Sequence, residues 1–189
     1  MIVDTSQPID TGIADERAIA AFDTQRTGRM GELVVELELL KRGWIVGNFN
    51  STTANSAGWD LFATRDNRSV KIRVKAKRPG VANFRWSAKA DGTVFLGNSG
   101  GDDDYVAAVS FDTDGSHSVY IIRTIVVART LEDEHRRWVT GERKGGGVRK
   151  DTPMRSIYID DRVDGAAAHG FKTKWAAYEG AWASLDHPS

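Results

Sequence analysis

The sequence predicts an α/β fold, on the border with α+β, in which a mixed central sheet is flanked by helices. Three observations predict it. A long amphipathic helical pattern comes early and stops at Gly43, several runs with strand character follow it, and an aromatic-rich helical pattern closes the chain. At 189 residues, 40% apolar and 28% charged, the chain has the size and composition of a single globular unit.

We expect a loose arm over residues 1–10, where Ser6, Gln7 and Pro8 disfavour regular structure, and one domain over residues 11–189. The acidic beginning lacks the basic start and apolar centre of a secretory signal, and no apolar run is long enough for a membrane span. The absence of cysteine excludes disulfides and Cys-ligated metal sites. We therefore expect a cytoplasmic protein with no membrane partner.

The first half of the chain predicts two helices. A short one covers residues 15–22, and a longer one covers "TGRMGELVVELELLKRGW". In the longer segment Leu33, Leu37 and Leu40 recur at helical spacing and predict its apolar face, and Gly43 ends it.

The strands are predicted from alternation and from apolar runs. They are "WIVGNFN", "WDLFAT", "SVKIRVKAK", "NFRWSA", "YVAAVSF", "SVYIIRTIVVA" and "RSIYID", with hairpins at residues 65–68 and at "DTDGSH". "LEDEHRRWV" predicts a helix, and residues 141–150 a basic, glycine-rich loop. In the predicted closing helix, "AHGFKTKWAAYEGAWASL", one aromatic stripe contains Phe171, Trp175, Tyr178 and Trp182.

One strand raises a question of charge. Its residues alternate strictly, which places Val70, Ile72, Val74 and Ala76 on one face and Lys71, Arg73, Lys75 and Lys77 on the other. The apolar face is explained by core packing. The cations lie roughly 6–7 Å apart along the strand and repel one another. Either solvent screens them or something anionic binds there.

Charge is unevenly distributed although the formal net charge is zero. Residues 61–90 contain nine lysines and arginines against one acid, whereas residues 1–40 contain eight acids against three arginines. The net charge of zero argues against a polycationic protein that binds polyanions nonspecifically. The segregation either brings the two segments together as complementary faces or marks a polyanion site beside an acidic, metal-binding edge.

The order of motifs carries a resemblance. Gly31 and Glu32 open the long helix, which ends in "LLKRGW"; "GWD" follows at residues 58–60, then a hairpin and a strand ending in "IRVKAK". Over about residues 28–80 this resembles the core of the PD-(D/E)XK nuclease superfamily, in its restriction-endonuclease-like and Holliday-junction-resolvase-like forms. The resemblance implies a restriction-endonuclease-like fold, DNA as the partner, and Mg²⁺ or Mn²⁺ as the cofactor.

The resemblance also implies roles for three residues. Asp60 would supply a carboxylate ligand to Mg²⁺, which prefers oxygen ligands and lowers the pKa of an attacking water. Lys75 would orient that water and offset charge on the phosphorus. Glu32 would add an outer carboxylate or hold a metal-bound water.

Arg73 departs from this pattern. Two residues before the lysine the family has Glu, Asp or Gln, all of which offer oxygen, whereas a guanidinium has no acceptor. Arg73 either grips a phosphate in a former metal site, or Glu36, one helical turn after Glu32, restores the missing carboxylate.

We therefore expect a Mg²⁺-dependent DNA nuclease, or a catalytically impaired nuclease-like protein that binds DNA. The candidate catalytic residues are Asp60, Lys75 and Glu32; the candidate metal ligands are Asp60, Glu32 and Glu36; and the candidate nucleic-acid contacts are Arg73, Lys71, Lys77, Arg78, Arg143 and Lys144. The alternative is a non-enzymatic interaction module. It would be a homodimer that uses an apolar strand edge or the aromatic C-terminal helix.

Overall fold

The computed structural model describes residues 16–49, 58–89, 92, 94, 104–143, 145–158 and 170–186. The arm predicted over residues 1–10 lies outside them. The elements in chain order are α1 (Glu16–Lys41), β1 (Ile45–Asn48), β2 (Leu61–Arg65), β3 (Arg68–Lys77), β4 (Asn83–Ser87), β5 (Asp104–Phe111), β6 (His117–Arg123), α2 (Thr124–Thr140), β7 (Met154–Tyr158) and α3 (Phe171–Lys174). Two 3₁₀ turns, Ala176–Tyr178 and Trp182–Leu185, follow α3.

Five strands form the central sheet, in the order β1-β2-β3-β5-β6. All neighbours in it are antiparallel except β3 and β5, which are parallel, so the sheet is mixed. The remaining strands, β4 and β7, pair with each other as an antiparallel ribbon. This arrangement confirms the predicted α/β class, a mixed sheet flanked by helices.

Helix α1 is one continuous helix of 26 residues and not the two predicted helices. Its inner face consists of Gly31, Val35 and Leu39, all buried. At Gly31 the backbone approaches β3 so closely that an added Cβ would lie 2.7 Å from the Cβ of Ala76. The helix ends as predicted at Gly43, whose φ of +80° is strained for any residue with a side chain.

The apolar face predicted for α1 is not the face that contacts the sheet. Leu33, Leu37 and Leu40 are each about half exposed and lie on the side of the helix away from the sheet. Helix α1 has two apolar faces, and the close approach at Gly31 selects the one with the smaller residues for contact with β3. A pattern of apolar spacing does not show which of two such faces a sheet will cover.

The sheet separates two hydrophobic cores. The first lies between the sheet and α1 and contains Val35, Leu39, Val70, Ile72, Tyr105, Val109 and Ile121, among others. The second lies on the opposite face, beneath the β4–β7 ribbon, α2 and α3. It is rich in aromatic rings, which meet at centroid distances of 4.9–6.5 Å: Phe84, Trp86, Tyr120, Phe171 and Trp175.

The predicted closing helix is also wrong. Helix α3 has only four residues, and 3₁₀ turns interrupted by Gly180, at φ +63°, continue the chain. Phe171 and Trp175 are buried in the second core, and Trp182 is buried in the first. These three rings therefore pack the end of the chain against both faces of the sheet. None of the helices that the structure describes is long and apolar enough to cross a membrane.

Candidate functional site

Asp60 lies where the chain enters β2, beside the middle of β3. Its backbone N–H donates to the carbonyl of Ile72 at 3.1 Å, and its carbonyl accepts from the N–H of Phe49 at 2.9 Å. Its side-chain Oδ2 accepts from the backbone N–H of Val74 at 2.7 Å. These bonds fix the carboxylate against β3, next to the cationic side chains.

Lys75 is a cation whose surroundings disfavour its charge. Burial lowers its pKa, the positive charge of Arg73 lowers it further, and the carboxylate of Asp60 opposes both. Its Nζ lies 5.8 Å from the ring centroid of Trp86, a contact that favours a cation over the face of an indole. Lys75 is therefore held partly out of water between one carboxylate and one aromatic ring.

Arg73 turns toward the segment that leads into Asp60. Its Nη1 donates to the carbonyl of Gly58 at 3.2 Å. Gly58 has φ +93°, a conformation that suits glycine, so the chain can present this carbonyl to the guanidinium. The structure thus brings together Asp60, Arg73 and Lys75, as the order of the motifs predicted.

Lys71 and Lys77 lie at the two ends of the cationic face of β3. Lys71 is half exposed, with Nζ 3.8 Å from Oδ1 of Asp104 and 5.8 Å from the ring centroid of Trp59. Lys77 is only 5% exposed and lies 5.9 Å from the ring centroid of Phe171, and burial lowers its pKa. Access to solvent thus decreases from Lys71 to Lys77.

Three residues that help to form this site were missed from the sequence. The ring of Trp59 lies beside Lys71 and the ring of Trp86 beside Lys75. The carboxylate of Asp104 forms an ion pair with Lys71. Trp59 stands next to Asp60 in "GWD", which is a usable signal. Asp104 lies just outside the predicted strand "YVAAVSF", but it is buried and begins β5.

Glu32 and Glu36 do not join Asp60 in a metal site. Glu32 accepts from Nη1 of Arg29 at 2.9 Å and from Nδ2 of Asn48 at 3.4 Å. Oε2 of Glu36 is buried without a hydrogen-bond partner among the described atoms. In the part of the chain that the structure describes, no three Asp, Glu, His or Cys side chains converge to hold a metal ion.

This arrangement does not fit Mg²⁺. The ion needs several converging oxygen ligands, and position 73 supplies a guanidinium that has none to offer. One oxygen of Asp60 already accepts a backbone hydrogen bond. We therefore assign no step of chemistry to a metal at this site.

The remaining predicted DNA contacts differ in access. Arg78 is exposed and lies 3.5 Å from Oδ2 of Asp23. Arg143 is exposed on the loop after α2. Lys77 is buried, so it is the least accessible of the predicted DNA contacts that the structure describes. Lys144 lies outside the described residues.

Comparisons with known proteins add little to this geometry. No family model matches the chain, and no curated protein matches it. One solved structure, that of the bacterial homing endonuclease I-Ssp6803I, aligns over 87% of this chain and 93% of its own, with a TM-score of 0.44 and 15% identity. A likeness at this level assigns neither a family nor an activity.

Proposed function

We propose that the protein is a nuclease-like DNA-binding protein that grips the phosphate backbone with the cationic face of β3 and does not cleave it. The observation that carries the proposal is the convergence of Asp60, Arg73 and Lys75. Asp60 and Lys75 stand in the order of the nuclease pattern, and Arg73 stands where a metal ligand is required.

Each group has a role in binding phosphate. A guanidinium suits two phosphate oxygens at once, so Arg73 is the main contact. Lys71, half exposed beside Trp59, supplies the outer charge, and the indole offers a surface on which a base can stack. Asp60 is a positioning residue that holds β3 through the N–H of Val74.

Binding is tested by the fluorescence anisotropy of a labelled DNA duplex. We expect Arg73→Ala to weaken binding by about tenfold, since a lost charged hydrogen bond costs about 1.5 kcal/mol or more. The matched control is Arg136→Ala on α2, an exposed arginine whose nearest acid is Asp133. Equal losses of DNA affinity in the two variants would show that the cationic face of β3 is not the DNA-binding surface.

The loss of the metal site is tested by thermal unfolding with and without Mg²⁺ or Mn²⁺. A ligand that binds only the folded state raises its stability. We expect neither ion to shift the wild type or Asp60→Ala. Arg73→Glu replaces the guanidinium with an oxygen donor, and a shift in that variant alone would identify Arg73 as the residue that excludes the ion.

A Mg²⁺-dependent nuclease is the second candidate. It is favoured by the partly desolvated Lys75 beside the carboxylate of Asp60, the two residues that the nuclease pattern requires. Cleavage of supercoiled plasmid separates the candidates. The proposed function predicts no cleavage by the wild type or by Lys75→Ala. Metal-dependent cleavage that Lys75→Ala abolishes would establish the nuclease instead.

A further inference from the structure

The outer side of α1 carries an exposed apolar stripe. It consists of Met30, Leu33, Leu37 and Leu40, which are between 46% and 52% exposed. We call these four residues the outer stripe. Successive members are separated by three, four and three positions, so they form one continuous line along the helix.

The outer stripe is not needed for the packing of α1 on its own sheet. That packing uses Gly31, Val35 and Leu39, on the opposite side of the helix. Single exposed apolar residues are common on protein surfaces, whereas contiguous apolar surface marks a site of contact. A helix with one apolar face toward its own core and another toward solvent is suited to two neighbours.

We propose that the outer stripe is the interface of a homodimer in which two α1 helices pack side by side in parallel. Spacing that alternates three and four is the spacing of a coiled-coil seam, in which each side chain enters a hole on the facing helix. A two-fold axis along the seam brings each residue against its own copy. The stripe is therefore complementary to itself.

Charge beside the stripe determines the direction of pairing. In a parallel pair, position 36 lies beside the partner's Lys41, five residues further along, and this occurs twice. Oε2 of Glu36 is buried within its own protomer, so Lys41 extends toward a partly buried carboxylate. In an antiparallel pair the two copies of Glu36 face each other and repel. Lys41 is exposed, so its ammonium can reach across while its present partner Glu38 remains nearby. Exposed ion pairs add little affinity, so this pair selects direction more than strength.

The dimer is expected to be weak. From Met30 to Leu40 the stripe is about 15 Å long, at 1.5 Å per residue, and an isolated coiled coil usually needs three or four heptads. Here α1 is already ordered by its contact with the sheet. Association therefore costs no helix formation. This makes a short seam sufficient for concentration-dependent pairing.

The interface is independent of the proposed DNA contacts. None of Lys71, Arg73 or Lys75 belongs to the outer stripe, which lies on the far side of α1 from β3. A variant of the stripe can therefore lose the dimer and keep the cationic face of β3 intact.

Sedimentation equilibrium over a concentration series tests the dimer. The wild type is expected to shift from monomer to dimer with concentration, and Leu37→Glu to stay a monomer. The matched control, Ile125→Glu, changes a similarly exposed apolar residue at the start of α2 and should dimerise like the wild type. Circular dichroism melts check that both variants fold. A wild type that stays monomeric throughout, or equal loss in the two variants, overturns the proposal.

A distance measurement tests the direction. The chain has no cysteine, so Arg26→Cys provides a single site for a spin label, seven residues before Leu33 and in phase with the stripe. In a parallel dimer the two labels face each other at short range. In an antiparallel dimer centred on residue 35 they are about 27 Å apart along the axis. The longer distance would overturn the parallel arrangement.

Discussion

Strand β3 presents Val70 and Ile72 to helix α1 on one face, and Lys71 and Lys75 to indole rings on the other. The first face packs into the hydrophobic core beneath α1, whose burial stabilises the fold. On the second face, burial lowers the pKa of both Lys75 and Lys77, so the fold disfavours their charged forms. Strict alternation assigns the residues of β3 to two faces. The neighbouring elements determine whether burial of a face stabilises or destabilises the fold.

The burial of these two lysines bears on the proposed function. Burial disfavours the charged forms of Lys75 and Lys77, and local violations of this kind concentrate at functional sites. The comparison therefore places the hydrophobic core on the α1 side of β3 and the proposed phosphate contacts on the side that faces Trp86.

The largest effect is expected on the aliphatic face. Ile72→Ala should reduce the free energy of unfolding by about 2–5 kcal/mol, because it leaves a cavity between α1 and the sheet. Urea denaturation measures the loss. The neighbouring Lys71→Ala, on the half-exposed end of the other face, should cost less than Ile72→Ala, even though it takes an ion-pair partner from the buried Asp104. Similar losses would show that the two faces do not differ as we describe.

A smaller loss is expected where α1 meets β3. Gly31→Val should cost about 1–3 kcal/mol, because its Cβ would lie 2.7 Å from that of Ala76 and the helix must move away. Gly28→Ala is the control in the same helix, because nothing lies within 4 Å of its added Cβ. We expect it to gain about 0.5–1 kcal/mol from helix propensity. A destabilising Gly28→Ala would contradict this account of the contact.

The smallest effect concerns pH. The pKa of Lys75 is lower in the folded state than its ordinary value of 10.5, so the unfolded chain binds more protons between those two values. Stability contributed by this group therefore rises as pH increases through that window. Lys75→Met should be more stable than the wild type at neutral pH, and the difference should narrow toward pH 10.5. Chemical denaturation at several pH values measures the difference in free energy of unfolding between the variant and the wild type. A difference that does not change with pH would contradict a lowered pKa of Lys75 as its cause.

The sequence was sufficient to predict most of the sheet. Strands β2, β3, β5 and β6 were expected from alternation and apolar runs, because these patterns depend on local geometry. The apolar run predicted as one strand through residue 128 was half wrong, since β6 ends at Arg123 and α2 begins at Thr124. The closing helix was not obtained correctly, since Phe171 and Trp182 pack on opposite faces of the sheet and a single helix cannot serve both. Leu33, Leu37 and Leu40 were predicted as the apolar face of α1, but spacing alone does not show which of two apolar faces contacts the sheet.

The candidate site was also predicted only in part from the sequence. Asp60, Arg73 and Lys75 were grouped from their order along the chain and from the period of β3, and the structure places them together. The metal trio with Glu32 was not found, because its formation depends on how α1 is turned against the sheet. Trp86 was missed because it comes from the β4–β7 ribbon, whose position no local pattern specifies.

The most direct test of the central claim is the salt dependence of DNA binding. The logarithm of the binding constant falls with the logarithm of salt concentration, with a slope of about −0.9 for each neutralised phosphate. We predict that the double variant Lys71→Ala, Arg73→Ala has a slope smaller by about 2 than that of the wild type. An unchanged slope, or a wild type that does not bind DNA at low salt, would contradict the account.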